Sequence, residues 1–120
     1  VFPVGAVILA TGADLHDPGS EHRYDELDNV VTSEELERAF CSDGDLGFGG
    51  NDPQSAAFIL CVGSRDPDCF SGCSRYCCPT AIKQAIELSE RGIDTTVFYR
   101  DIRTVSAGAE EMYRKAYRQF

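Results

Sequence analysis

The order of apolar and polar residues between positions 56 and 99 constrains the fold of this 120-residue chain more than any other feature. Residues 56–62 (AAFILCV) form a short apolar run that predicts a buried strand, and residues 94–99 (DTTVFY) predict another. Between them, residues 82–89 place apolar side chains on one face at helical spacing. A strand, a glycine turn, a helix and a strand predict an α/β fold, a Rossmann-like βαβ fragment with a parallel sheet.

Further elements are expected on both sides of this unit. Residues 4–10 (VGAVILA) are rich in β-branched side chains and predict a strand buried on both faces, as in a parallel sheet. Thr32, followed three residues later by Glu35, is the pattern of a capping box and predicts a helix start. Residues 42–55 are rich in glycine and aspartate and predict a loop. Apolar residues recur at helical spacing over 109–120, and we expect the aromatic stripe of this helix to lie in the core.

Cysteines occupy the turn where a nucleotide-binding βαβ unit carries glycines. No G-x-G-x-x-G sequence follows Val62. Instead, Cys61, Cys73, Cys77 and Cys78 follow one another with the spacing Cys-x11-Cys-x3-Cys-Cys. The first is expected at the end of a strand, and the last two at the start of a helix, where Pro79 suits the first turn.

Four thiolates gathered at a strand-to-helix junction match the ligand number of an iron–sulfur cluster. The N-terminus of a helix carries partial positive charge and free N–H groups, which stabilise thiolates and lower thiol pKa values. Arg65 and Arg75 lie between Cys61 and Cys78 and can offset further negative charge of the thiolates. The sequence therefore predicts a metal or iron–sulfur site built from these four cysteines.

Other uses of the same thiols remain open from the residues alone. Cys73 and Cys77 have a spacing that suits zinc, although the adjacent pair Cys77 and Cys78 does not. Six cysteines also allow a disulfide framework, which is typical of small secreted proteins. A redox-active dithiol is a further alternative, with Cys77–Cys78 or Cys69–Cys73 as the pair.

The remaining sulfur and imidazole side chains are expected outside the ligand set. Cys69 lies between the first two proposed ligands, where it is a free loop thiol or a substitute ligand. Cys41 is expected just after a helix and is interpreted as structural. His16 and His22 lie in the acidic connection, and we expect them to be solvated rather than catalytic.

The net charge of −9 is concentrated in the first half of the chain. Residues 1–52 contain twelve acidic side chains and two arginines, whereas residues 53–120 are almost balanced. No basic face is evident, so binding to nucleic acid or to an anionic membrane is not expected. The acidic half is interpreted as a solvated surface. The alternative is a docking face for a basic partner, in a zinc-bound structural or interaction module.

Composition and length place the chain among soluble globular proteins. The longest apolar run, residues 4–10, is too short to span a membrane. No signal peptide is recognised, so a cytoplasmic location is expected. The chain begins without an initiator methionine and ends within a helical pattern, and we expect it to be a fragment of a larger protein.

Several segments together resemble the A subunit of heterodisulfide reductase, an iron–sulfur flavoprotein family. The central match is CVGSRD, a variable loop, CSRYCC and then AIKQA. The segments VGAVILATGADLHDP, DNVVTSEELER and FYRDIRT extend the resemblance over nearly the whole chain. The cysteine signature is highly specific, whereas the Ala-Thr-Gly motif also occurs in many other flavoproteins with two dinucleotide-binding domains.

The resemblance implies a two-lobe flavoprotein similar to thioredoxin reductase, with FAD in the first lobe. Residues 1–13 would be the end strand of that lobe and would carry flavin contacts at Ala10, Thr11 and Gly12. Residues 14–55 would be an acidic connection with a short helix, and residues 56–120 a Rossmann-like lobe with the cysteine cluster.

In the family, a 4Fe–4S cluster is held by the cysteines that match Cys61, Cys73, Cys77 and Cys78. The resemblance further implies electron transfer between FAD and such clusters, as a relay or by electron bifurcation. The expected partners are other heterodisulfide reductase or hydrogenase-type subunits. The parent protein is then an oxidoreductase, and the isolated fragment is expected to be inactive.

Overall fold

A computed structural model describes residues 2–42, 46–48 and 53–120. The described part contains three α-helices and two strands. In chain order they are α1 (Ser33–Cys41), β1 (Ser55–Ile59), α2 (Cys77–Glu90), β2 (Asp94–Phe98) and α3 (Ala109–Gln119). A short 3₁₀ turn, Glu21–Arg23, precedes them. None of the described helices is long and apolar enough to cross a bilayer.

β1 and β2 are parallel neighbours, joined by the crossover helix α2. Their register pairs Ser55 with Asp94 and Ile59 with Phe98. Parallel strands require such a crossover, because the chain must return to the same end of the sheet. The predicted α/β fold with a Rossmann-like βαβ unit is therefore confirmed.

The two ends of α2 follow from local sequence. Pro79 lies in the first turn, where its missing N–H has no intrahelical partner to lose. At the other end, Gly92 has φ of 82°, a left-handed conformation that glycine adopts without strain. The Ile93 N–H donates to Leu88 O at 3.1 Å, and the Gly92 N–H donates to Ser89 O at 3.0 Å. This Schellman motif ends the helix and turns the chain into β2.

Apolar packing centres on α2. Ala85 is completely buried, and Ile82 and Leu88 are nearly so. Two apolar clusters join α2 to the helices before and after it in the chain. One comprises Leu36, Leu46 and Leu88, and the other comprises Ile82, Ile86 and Ala116. The first holds α1 and the second holds α3 against the βαβ unit.

The capping box at the start of α1 is confirmed. The Thr32 hydroxyl accepts the Glu35 N–H at 3.2 Å, and the Glu35 carboxylate accepts the Thr32 N–H at 2.7 Å. The buried amide of Gln84 then joins α1 to α2, because its Nε2 donates to Ser33 O at 2.8 Å and to the Glu37 carboxylate at 3.1 Å. These polar contacts orient α1 on the crossover helix.

The structure differs from the sequence prediction at residues 4–10. These residues are neither strand nor helix. Their large apolar side chains are exposed, including Ile8 at 90% and Leu9 at 84%. A strand buried on both faces needs paired strands and covering layers, and the described sheet contains only β1 and β2. The apolar run therefore has no partner within the described part of the chain.

Three smaller differences concern burial and boundaries. β1 ends at Ile59 rather than at residue 62, and its side chains alternate between exposed and half-buried because α2 covers one face. Cys41 is the last residue of α1 rather than a residue beyond it. The aromatic stripe of α3 is wider than its contact with α2, which leaves Tyr117 74% exposed. Much of the predicted loop 42–55 lies outside the described residues.

Candidate metal centre

The chain leaves β1 through a turn that begins at Cys61. The Leu60 N–H still donates to Phe98 O at 3.0 Å, which continues the ladder by one bond. Cys61 then adopts φ of 67° and Gly63 adopts φ of 66°, both left-handed. The Ser64 N–H donates back to Cys61 O at 3.1 Å. Cys61 therefore lies at the carboxyl end of β1, as predicted.

After this turn the chain runs out and returns as two bonded arms. The Arg65 N–H donates to Gly72 O at 2.9 Å, and the Asp66 N–H donates to Phe70 O at 3.0 Å. These bonds bring residue 72 back beside residue 65. Cys73 follows directly on the returning arm.

Cys73 and Cys69 have different surroundings on this loop. The Cys73 sulfur accepts the N–H of Arg75 at 3.3 Å, across a turn in which Arg75 has φ of 61°. Cys69 is exposed near the tip of the loop, and its sulfur donates to Gly63 O at 3.5 Å. Left-handed φ values at non-glycine residues cost free energy, and in the cysteine loop they occur at Cys61, Arg65 and Arg75.

Cys77 and Cys78 are the first two residues of α2. The N-cap residue, Tyr76, makes no side-chain capping hydrogen bond, and the first turn contains no acidic side chain. The free N–H groups and the partial positive charge of this helix end therefore act on the two thiols.

The pKa values of these two thiols are displaced in opposite directions. Burial raises the pKa of the Cys77 thiol, but hydrogen bonds from the Cys61 backbone, the Ser74 side chain and Cys78 outweigh it and lower the pKa overall. Burial is the main cause of the raised pKa of Cys78, and the nearby charges of Cys77 and Cys61 raise it further. Cys77 is thus the more readily ionised thiol of the adjacent pair.

The fold therefore brings the backbone of Cys61 to the thiol of Cys77, with Cys78 next in the chain, and it places Cys73 on the neighbouring arm. All six cysteines belong to the described residues and are free thiols, so no disulfide framework is present among them. Within residues 2–42, 46–48 and 53–120, no three His, Cys, Asp or Glu side chains have the mutual geometry of a metal site. The chemistry of the donors suits an iron–sulfur cluster, because soft thiolates meet uncapped N–H groups.

Residues after β2 complete the surroundings of the thiols. The carboxylate of Asp101 forms an ion pair with Arg65 and accepts a hydrogen bond from Arg103 Nε at 3.1 Å. The Cys78 sulfur lies 4.0 Å from Asp101 O. Sequence reasoning missed Asp101 and Arg103. The available signal was topological, because the carboxyl ends of parallel neighbours lie at the same edge of a sheet.

His16 also lies closer to the cysteine loop than predicted. A Cβ placed on Gly63 would be 2.2 Å from His16 Cγ, so the imidazole rests directly on the glycine backbone. Its Nε2 lies 2.9 Å from Glu21 Oε1, and the side chain is 32% exposed. His16 is exposed, as expected, but its ring lies against the turn after β1 because the chain folds back across that turn.

The proposed flavin contacts lie in the extended N-terminal segment. Ala10, Thr11 and Gly12 are exposed and belong to no helix or strand. Gly12 has φ of 81°, and a Cβ there would meet no described atom within 4 Å. The segment is thus open on the side of this glycine.

The fold and site define a Rossmann-like α/β unit that carries thiols where nucleotide-binding relatives carry a glycine-rich turn. Comparison with known proteins then identifies the family. The chain is 40% identical to an iron–sulfur A subunit of CoB–CoM heterodisulfide reductase from Methanopyrus kandleri, over 98% of its own length and 20% of that protein. It is 39% identical to the A subunit of the ferredoxin:CoB–CoM heterodisulfide reductase from Methanosarcina mazei, over 95% of its length and 16% of that protein.

A third relative is the A subunit of the H₂:CoB–CoM heterodisulfide, ferredoxin reductase from Methanothermobacter thermautotrophicus, with 38% identity over 98% of the chain. No family model matches the chain. The chain belongs to the family of heterodisulfide reductase A subunits, as its motifs predicted. It spans about a fifth of the length of the curated relatives that it matches.

Proposed function

We propose that the chain is part of an oxidoreductase in which Cys61, Cys73, Cys77 and Cys78 hold a 4Fe–4S cluster. The observation that carries this proposal is the placement of Cys61 at the carboxyl end of β1 and of Cys77 and Cys78 at the uncapped N-terminus of α2, where the Cys61 backbone meets the Cys77 thiol. The name of the Methanopyrus kandleri relative, an iron–sulfur subunit, gives independent support.

Each part of the chain has a defined task in this site. The end of β1 holds Cys61, and the first turn of α2 holds Cys77 and Cys78, so rigid elements fix three donors. The bonded arms of the loop return the chain so that Cys73 follows Gly72, which is hydrogen-bonded to Arg65, and Cys73 would be the fourth donor. When bound, the cluster supplies one-electron redox chemistry, and the free N–H groups of α2 offset its negative charge.

For the parent protein we propose electron transfer between FAD and 4Fe–4S clusters, as a relay or in electron bifurcation. Residues 1–13 would belong to the FAD-binding lobe and contact the flavin through Ala10, Thr11 and Gly12. Residues 14–55 would connect it to the cysteine-bearing lobe, 56–120. The other subunits of a cytoplasmic heterodisulfide reductase or hydrogenase-type complex would be the partners. The chain alone, without the rest of a flavin site, is expected to be inactive.

Anaerobic reconstitution with iron and sulfide tests the cluster. We expect four irons and four acid-labile sulfides per chain, broad charge-transfer absorbance and an EPR signal on reduction. Substitution of any proposed ligand by serine, such as Cys61→Ser or Cys77→Ser, should reduce the iron content. Cys41→Ser and Cys69→Ser are the matched controls and should leave it unchanged.

The same samples separate the alternatives. One zinc per chain without acid-labile sulfide would replace the proposal with a structural zinc module. A reversible loss of two titratable thiols on oxidation would indicate a redox-active dithiol. A folded chain that takes up neither iron nor sulfide would refute the proposed site.

A further inference from the structure

Arg65 is the basic side chain most firmly built into the cysteine site. It lies four residues after Cys61, in a left-handed conformation with φ of 59°. Its side chain is only 22% exposed and forms an ion pair with Asp101. Its backbone N–H donates at 2.9 Å to the carbonyl oxygen of Gly72, the residue before Cys73. Arg65, on the outgoing arm of the loop, therefore bonds to the returning arm and to the segment after β2.

Asp101 is itself held in place on the opposite side. Its second carboxylate oxygen accepts from Arg103 Nε at 3.1 Å. Its carbonyl oxygen lies 4.0 Å from the sulfur of Cys78. The neighbouring Arg100 donates from Nη1 to Arg65 O at 2.9 Å, which closes a ring of contacts around the loop. The guanidinium of Arg65 is thus fixed by partners that lie beside the thiols.

Arg65 also lies beside the first proposed ligand, because the N–H of Ser64, one residue earlier, donates to Cys61 O at 3.1 Å. The hydrogen bond to Asp101 is the main cause of the raised pKa of Arg65, and a hydrogen bond and charge interaction with the Cys61 side chain act in the same direction. A planar guanidinium with several N–H donors can serve a carboxylate and a sulfur together, which a lysine ammonium does less well.

We propose that Arg65, oriented by Asp101, positions the Cys61 sulfur and raises the reduction potential of the cluster held there. This inference rests on the proposed function. One-electron reduction adds one negative charge to the cluster, and a fixed guanidinium beside a ligating sulfur stabilises that charge. Net charge and hydrogen bonds to sulfur are among the factors that set such potentials.

The contacts of Arg65 differ from those of Arg75, the other arginine between Cys61 and Cys78. Arg75 is exposed, and its contact to a cysteine is made by its backbone N–H, which donates to Cys73 at 3.3 Å. A backbone donor persists when the side chain changes. The effect on potential is therefore assigned to the side chain of Arg65 and not to basic charge in the loop generally.

The test is an EPR-monitored redox titration of the reconstituted chain, with iron and sulfide measured in each sample. Arg65→Gln removes the charge and the fork of donors, and Arg65→Lys keeps the charge alone. Arg114→Gln is the control, because the side chain of Arg114 is 67% exposed on α3. We expect a negative shift of the midpoint potential for Arg65→Gln, a smaller negative shift for Arg65→Lys, and none for Arg114→Gln.

A midpoint potential in Arg65→Gln equal to that of Arg114→Gln, at full cluster occupancy, would overturn the inference and leave the cluster proposal intact. A folded Arg65→Gln chain that binds less iron than Arg114→Gln would support the positioning role. If Arg65→Gln does not fold, Arg65→Lys decides, since a potential and an iron content equal to the wild type would count against the inference. Failure of the wild type to form a cluster would instead remove the proposed function on which it rests.

Discussion

Substitution of Gly63 by alanine should destabilise the turn that carries Cys61, for two separable reasons. The backbone there has φ of 66°, which costs a residue with a Cβ roughly 1–2 kcal/mol. The new Cβ would also lie 2.2 Å from His16 Cγ, a distance that no real contact shows, so the imidazole must leave. The displaced imidazole loses its contact with Glu21. That contact is partly exposed and contributes about 0.5 kcal/mol to the free energy of unfolding.

The expected loss for Gly63→Ala is therefore about 2 kcal/mol in the free energy of unfolding. His16→Ala alone should cost about 0.5 kcal/mol. Because the ring is already displaced in Gly63→Ala, adding His16→Ala to that background should cost almost nothing. The double mutant is then less destabilised than the sum of the two single variants, which a double-mutant cycle measures as a coupling energy.

Urea denaturation under reducing conditions, followed by far-ultraviolet circular dichroism, gives the required free energies. Gly92→Ala is the matched control, because Gly92 has φ of 82° but no described atom within 4 Å of an added Cβ. It should lose only the backbone contribution, roughly 1–2 kcal/mol. Strict additivity of Gly63→Ala and His16→Ala would show that His16 does not lie on Gly63, and an unaffected Gly63→Ala would contradict the left-handed turn.

Three further predictions concern the core, a helix cap and the thiols. Ile82→Ala should cost about 3 kcal/mol, because this side chain is 3% exposed between α2 and α3, whereas Ile8→Ala, at 90% exposure, should cost almost nothing in the same urea titration. Thr32→Ala should cost about 1 kcal/mol, because it removes the hydroxyl that caps α1, and Thr32→Ser should retain most of that stability. In the cluster-free chain, iodoacetamide should alkylate Cys77 at lower pH than Cys78. As pH rises, the thiol with the lowered pKa ionises first and the thiol with the raised pKa ionises later. Peptide mass spectrometry across a pH series measures the alkylation of both.

Each of these has a contrary result. Equal losses for the buried and the exposed isoleucine would contradict the packing of α2 against α3. A stable Thr32→Ala chain would mean that α1 is held by its contacts to α2 rather than by its cap. Alkylation of Cys78 before Cys77 would reverse the assigned order of ionisation.

Local sequence predicted the elements whose cause is local. The capping box at Thr32, the proline in the first turn of α2 and the glycine at position 92 act within a few residues, and all three are present in the structure. The strand–helix–strand order of residues 56–99 was equally predictable from the sequence, because the period of apolar side chains differs between strands and helices. The strand expected at 4–10 is absent, because burial of a strand depends on neighbours and not on its own composition.

The sequence by itself therefore determined the βαβ unit, the four ligand candidates at its turn (Cys61, Cys73, Cys77 and Cys78), and the family of the chain. Only the tertiary structure decided what surrounds those thiols. The parallel pairing of β1 and β2 brings Asp101 beside Arg65, thirty-six residues away along the chain. A left-handed glycine gives His16 a place on the same turn. Such contacts arise when a sheet and a crossover helix close long loops, and no local periodicity encodes them.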